Sequence, residues 1–128
     1  MNAPDAVHIV VVDDSADAAL TLQALLEMNG YTVQVALSAE EALRAIETNK
    51  PHCVLLDCSM PGGMNGLEFA RRLRGLYGDD IVLIAVTGTD LQSEGVSETF
   101  DLVDHHLLKP VDFARLSAAL PPLTSAGA

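Results

Sequence analysis

His52-Cys53-Val54-Leu55-Leu56-Asp57 is a short apolar run that stops on a carboxylate and passes straight into turn residues, Cys58-Ser59-Met60-Pro61-Gly62-Gly63. A run of this length without polar alternation reads as a strand buried on both faces, as at the centre of a parallel sheet. The same device recurs along the chain: His8 to Val12 runs into Asp13 and Asp14, Ile81 to Val86 into Thr87, and His105 to Leu108 into Lys109. If the four strands are parallel, their polar ends share one rim, where open α/β sheets place their sites.

Helical patterns separate these runs. Ser15 or Asp14 is placed to cap a helix reaching Met28, with Ala18, Leu22, Leu25 and Leu26 on one face and Asn29-Gly30 closing it. Tyr31 to Ala36 alternates as a strand does. Ser38, with Glu41 three residues on, makes a capping-box pattern ahead of a helix that turns Ala42, Leu43 and Ile46 inward and stops before Pro51. A further helix from Leu67 to about Tyr77 carries Phe69, Ala70, Leu73 and Leu76. Gly95, Ser97 and Thr99 are poor helix formers, so a helix over 91–101 is expected to be short or mobile. Val103 to Leu108 is the last predicted strand, and Asp112 caps a final helix to about Leu120. The alternation predicts a single α/β domain, a doubly wound five-stranded parallel sheet with helices on both faces and right-handed crossovers. It spans residues 7–120, between flexible termini at 1–6 and 121–128.

The composition fits one such domain. The chain has 128 residues, 49% of them apolar, enough to fill a core. Eighteen acidic against seven basic residues give a net charge of −11, a field that repels nucleic-acid backbones and excludes direct binding to them. No run approaches the roughly 18 apolar residues of a membrane span, and the N-terminus has no basic-then-apolar leader, so a cytoplasmic location with no membrane partner is expected. The two cysteines, Cys53 and Cys58, would lie within a buried strand and just beyond it, which suits neither a disulfide nor a zinc site.

The rim residues define a chemistry. Asp13, Asp14 and Asp57 brought close together repel by roughly 1 kcal/mol per pair in water, and by more when partly buried. A fold tolerates this when a hard cation sits among the oxygens, and carboxylates with carbonyls and water suit Mg²⁺ or Mn²⁺. A divalent ion, the Lys109 ammonium and the Thr87 hydroxyl together match the oxygens of a phosphoryl group, for which one carboxylate can be the in-line acceptor.

The motifs Val11-Val12-Asp13-Asp14-Ser15, Leu55-Leu56-Asp57 with Met60-Pro61 and Gly66, Ala85-Val86-Thr87-Gly88 and Leu108-Lys109-Pro110 resemble the receiver domain of two-component response regulators. The resemblance covers about residues 7 to 120 and implies a chemotaxis-type, flavodoxin-like sheet of order 2-1-3-4-5. It implies that Asp57 is the phosphoacceptor, that Asp14 binds Mg²⁺ directly and Asp13 through water, and that the Ser59 carbonyl is a further ligand. Thr87 takes the place of the switch hydroxyl and Lys109 that of the lysine contacting the phosphoryl group. His106 occupies the position of the switch aromatic. The implied role is a signalling domain rather than an enzyme, with self-catalysed phosphoryl transfer and autodephosphorylation. Its partners would be a histidine kinase or histidine phosphotransfer protein upstream and a protein target downstream.

This sequence departs from the family pattern in a loop over 60–66 that is one residue longer, with Asn65 where Asp is commoner, and in lacking a glycine over Phe100 to Val103. An aspartate-nucleophile phosphatase would need a second Asp two residues past the first, where Ser59 stands, and a flavin module would not place Asp13-Asp14 against a phosphate. The alternative that stays open is a receiver-like module that binds proteins without being phosphorylated.

Overall fold

The computed structural model describes residues 7–57, 66–87, 102–108 and 111–120. Its elements run β1 (His8–Val12), α1 (Ala16–Met28), β2 (Thr32–Ala36), α2 (Ala39–Thr48), β3 (Cys53–Asp57), α3 (Gly66–Tyr77), β4 (Val82–Thr87), β5 (His105–Leu108) and α4 (Phe113–Ala119). The strands form one sheet in the order β2-β1-β3-β4-β5, with every pair parallel. The expectation for the segment over 91–101 lies outside the described residues.

Alternation within each central strand feeds two cores. Val10 and Val12 of β1 join Val54 and Leu56 of β3 under α2 and α3, packed on Ile46, Phe69 and Leu73. Ile9 and Val11 point the other way and join Cys53 and Leu55 against Leu26 of α1 and Leu116 of α4. Burying each such side chain contributes about 1.5–3 kcal/mol, which is why β3, buried at all five positions, dominates the middle of the sheet. Burial also pushes the Cys53 thiol far above its ordinary range, and the nearby charge of Asp104 adds to this.

The helix ends follow from their local chemistry. Ser15, rather than Asp14, caps α1, its Oγ accepting the Ala18 N–H. At the other end the N–H groups of Gly30 and Tyr31 donate to the Glu27 and Leu26 carbonyls, a turn that needs the left-handed φ of 98° at Gly30. The Ser38 hydroxyl accepts the Glu41 N–H at 3.0 Å, but the Glu41 carboxylate reaches back to the N–H of Leu37 at 2.9 Å, one residue before the cap.

Several expectations shift. Ala19, not Ala18, is the fully buried alanine of α1, because the helix rolls to lay Leu26 on the sheet. Leu76 is 66% exposed, since the last turn of α3 instead turns Tyr77 and Arg74 toward the sheet. Tyr31 precedes β2, β4 runs on to Thr87, and β5 starts only at His105.

The late start of β5 has a cause that local patterning does not carry. Arg74 donates through Nε to the Leu102 carbonyl at 2.8 Å and through Nη1 to the carbonyls of Gly78 and Ile81 at 2.9 and 2.8 Å. Its Nη2 pairs with Asp104 at 2.8 Å, and the same carboxylate oxygen accepts the Leu83 N–H at 2.9 Å. Burial opposes the charge of Asp104, but the Leu83 N–H and the guanidinium outweigh it and hold the carboxyl below its usual range. One planar cation thus ties the end of α3, the start of β4 and the approach to β5. Arg74→Ala should lower the unfolding free energy by about 3 kcal/mol, since three carbonyls and a carboxylate lose their donor. Arg74→Lys should recover little, because an ammonium cannot span these acceptors. Urea midpoints at unchanged slope measure both.

Candidate functional site

The parallel register decides where the acidic residues go. Val12 lies opposite Leu56 and Asp57 opposite Val86, so the residues that end β1, β3 and β4 fall on one rim. Asp13 follows β1 directly and is held on both sides. Its N–H donates to the Ala36 carbonyl at 3.1 Å, and its Oδ1 accepts the Ser15 N–H at 2.9 Å. This turn presents Asp14 to solvent and sets Asp13 at the start of α1, where the helix dipole favours negative charge.

Asp13, Asp57 and Thr87 are 4%, 5% and 1% exposed, while Asp14 is open to water. One carboxylate oxygen from each of Asp13, Asp14 and Asp57 lies within 4.8 Å of the others. Two of these charges are therefore shielded from the water that would screen them, and their repulsion exceeds the roughly 1 kcal/mol per pair of bulk solvent. Oxygen donors at this spacing fit a hard divalent cation and offer a transition metal no nitrogen or sulfur. Asp13 and Asp57 also border a cavity of about 740 Å³ between the strand ends and the Ala18, Leu22 and Leu25 face of α1, so low exposure does not seal them off.

Of the residues singled out from the sequence, Asp13, Asp14 and Asp57 come together, and Thr87 stands on the same rim beside the partner of Asp57. His106 lies on β5 opposite Ala85, two residues before the end of that strand, and is exposed. Ser59 and Lys109 lie outside the described residues. The bond from Ser15 to Asp13 was not anticipated, although an Asp two residues before a Ser is a pattern that favours it.

The sequence profile of the response regulator receiver domain matches residues 9–121. The chain is 38% identical over 117 residues to the response regulator MprA of Mycobacterium sp. (strain KMS) and, equally, to that of Mycobacterium tuberculosis (strain ATCC 25618 / H37Rv). The match takes in 91% of this chain and 50% of each relative, so the chain spans about half the length of these curated relatives. Among solved structures, a response regulator receiver domain protein from Clostridium thermocellum superposes with a TM-score of 0.79 at 26% identity, covering 94% of this chain and 93% of its own. A CheY-like receiver domain protein from Methanospirillum hungatei JF-1 gives 0.80 at 28% identity, covering 88% and 89%.

The chain belongs to the receiver domains of two-component response regulators. Accepting a phosphoryl group is the general role of that family, an acidic cluster that binds Mg²⁺ is its common site, and a histidine kinase stands upstream of its members. Among the described residues no helix is long and apolar enough to cross a membrane.

The repulsion within the cluster can be measured. Mg²⁺ at ten times its Kd should add about 1.4 kcal/mol of stability by mass action, a rise of several degrees in Tm. Asp14→Ala should abolish that rise while leaving the ion-free protein as stable as before or more so, because it removes one of the like charges. Calorimetry with and without Mg²⁺ checks both; an unchanged melt at several millimolar Mg²⁺ would mean that the cluster does not hold the ion.

Proposed function

We propose that Asp57 is the phosphoacceptor of this receiver and takes its phosphoryl group from a histidine kinase or a histidine phosphotransfer protein. The observation that carries the reading is the convergence of Asp13, Asp14 and Asp57 to within 4.8 Å at the carboxyl end of the sheet in a member of this family. An oxygen of Asp57 attacks phosphorus, the bond from phosphorus to the donor nitrogen breaks, and the imidazole leaves; with a small acyl phosphate the leaving group is a carboxylate. Asp57 suits this role as the last residue of a strand buried along its whole length, which leaves the carboxylate little freedom to turn away from an incoming phosphorus.

Asp13 and Asp14 would hold Mg²⁺ together with Asp57 and, by its place in the motif, the Ser59 carbonyl. The ion supplies neutralisation of the charge on the transferring oxygens. Lys109 is assigned the same electrostatic task by its place in the motif. The Thr87 hydroxyl, by its place in the motif, would donate to a phosphoryl oxygen on Asp57, which would couple the modification to β4 and through it to the face bearing β5 and His106. Slow hydrolysis of the acyl phosphate by water would return the domain to its resting state. A cytoplasmic location and a downstream protein target go with this reading.

Acetyl phosphate with Mg²⁺ should add one phosphoryl group, seen in the intact mass and removed by hydroxylamine. Asp57→Asn should lose the label entirely and keep the wild-type far-ultraviolet circular dichroism. Label that persists in Asp57→Asn would move the acceptor elsewhere, and a wild type that takes no label from any donor would favour the protein-binding module that works without phosphorylation.

A further inference from the structure

The opposite edge of the sheet, where the strands begin, carries a histidine pair that the rim chemistry does not use. His52 precedes β3, and its backbone N–H donates to the His8 carbonyl at 2.8 Å while its own carbonyl accepts the Val82 N–H at 3.0 Å. Its ring joins the same ladder, with Nδ1 accepting the His8 N–H at 3.0 Å. A ring that accepts at Nδ1 carries its proton on Nε2, and a doubly protonated ring has no lone pair left to accept with. His8 is the first residue of β1. Both of its ring nitrogens are buried, and among the described residues neither finds a hydrogen-bond partner.

We propose that His8 and His52 form a proton-operated latch that ties the beginnings of β1 and β3 when neutral and releases them when protonated. The geometry sets the sign. Proton uptake by His52 turns its acceptor into a donor facing the His8 N–H, and proton uptake by His8 puts a charge in a buried site where the Thr32 backbone offsets only part of its desolvation. The groups around the pair do not reverse this. Burial is the largest influence on His8 and lowers its pKa from the ordinary value of 6.5; His52 lowers it further, and only the Thr32 backbone acts the other way. Tyr31 at the entry to β2 and Cys53 beside the pair both have raised pKa values, so both stay neutral across the acid range. At the same edge Lys50 and Asp80 are exposed and paired with each other at 3.3 Å. Because the folded form holds the His8 proton less well than the unfolded chain does, the contribution of the latch is complete above about pH 6.5 and falls as the pH drops below that. The latch joins the two strands that carry Asp13 and Asp57 at their other ends, so acid would loosen the two elements on which the receiver site is mounted.

Hydrogen exchange of the full chain between pH 7.5 and 5.5, corrected for intrinsic rates, tests the proposal. Opening of the His8 amide should rise as the pH falls below the titration, by up to tenfold per pH unit for each proton taken up. The Tm of the wild type should fall by several degrees over the same range. His52→Asn, which can accept the His8 N–H but does not titrate there, should reduce both responses, and so should His8→Leu. The double variant His105→Gln/His106→Gln, which leaves the latch intact, should keep the wild-type slope. Rim carboxylates are common to all these proteins, so their titration cancels in the comparison. A wild-type His8 amide that stays protected at pH 5.5, or a pH slope lost with His105 and His106 instead, would overturn the latch; the amide measurement needs no variant and decides the matter even if His8→Leu fails to fold.

Discussion

The parallel pairing of β1 with β3 is the constraint on which the rest depends. Once Val12 stands opposite Leu56, the chain must place the residues after β1 beside the end of β3, and the carboxylates of Asp13 and Asp57 meet whatever their mutual repulsion. That repulsion is overcome because the strands behind it are buried throughout: Ile9 to Val12 and Cys53 to Leu56 are each no more than 1% exposed. A one-residue slip would carry the apolar set of each strand to the wrong core and separate the acids as well. Core packing and site geometry are therefore specified by the same register.

Much of this was legible because it is periodic or terminal. Continuous apolar runs ending in Asp13, Asp57 and Thr87 announce buried parallel strands and mark which ends carry polar groups, and the five-strand order follows the family resemblance. Ser15, Ser38 and Asp112 read as caps and are caps, since a hydroxyl or carboxylate before a helix satisfies a nearby N–H through contacts two or three residues long. What could not be read was long in sequence. Arg74 and Asp104 are thirty residues apart, and His8 and His52 forty-four, so nothing in either neighbourhood signals the partner. Leu76 misleads for a related reason: its spacing from Leu73 suits a helix face, but the guanidinium of Arg74 claims the surface against which that last turn would have packed.

The two edges of the sheet divide the labour. At the carboxyl ends, the carboxylates of Asp13, Asp14 and Asp57 are gathered within 4.8 Å, the usual condition of a site built to bind something. At the amino ends the backbone is stitched together: His52 engages both neighbouring strands, and Lys50 pairs with Asp80, while the His8 ring nitrogens stay buried beside them. The Arg74 cluster extends this stitching to the approach of β5, so the acidic rim is carried by a sheet fastened at its opposite edge and flank.

Cys53 adds a consequence of a different kind. Thiol reagents and peroxides attack the thiolate, and the Cys53 sulfur is fully enclosed in the layer between β3 and α1 with its ionisation strongly suppressed. While the sheet is closed this residue is redox-silent, four positions upstream of the carboxylate at the heart of the site. Its alkylation would need the central strand to come out of the sheet, so the rate of that reaction keeps time for the rarest motion of the domain, its global opening.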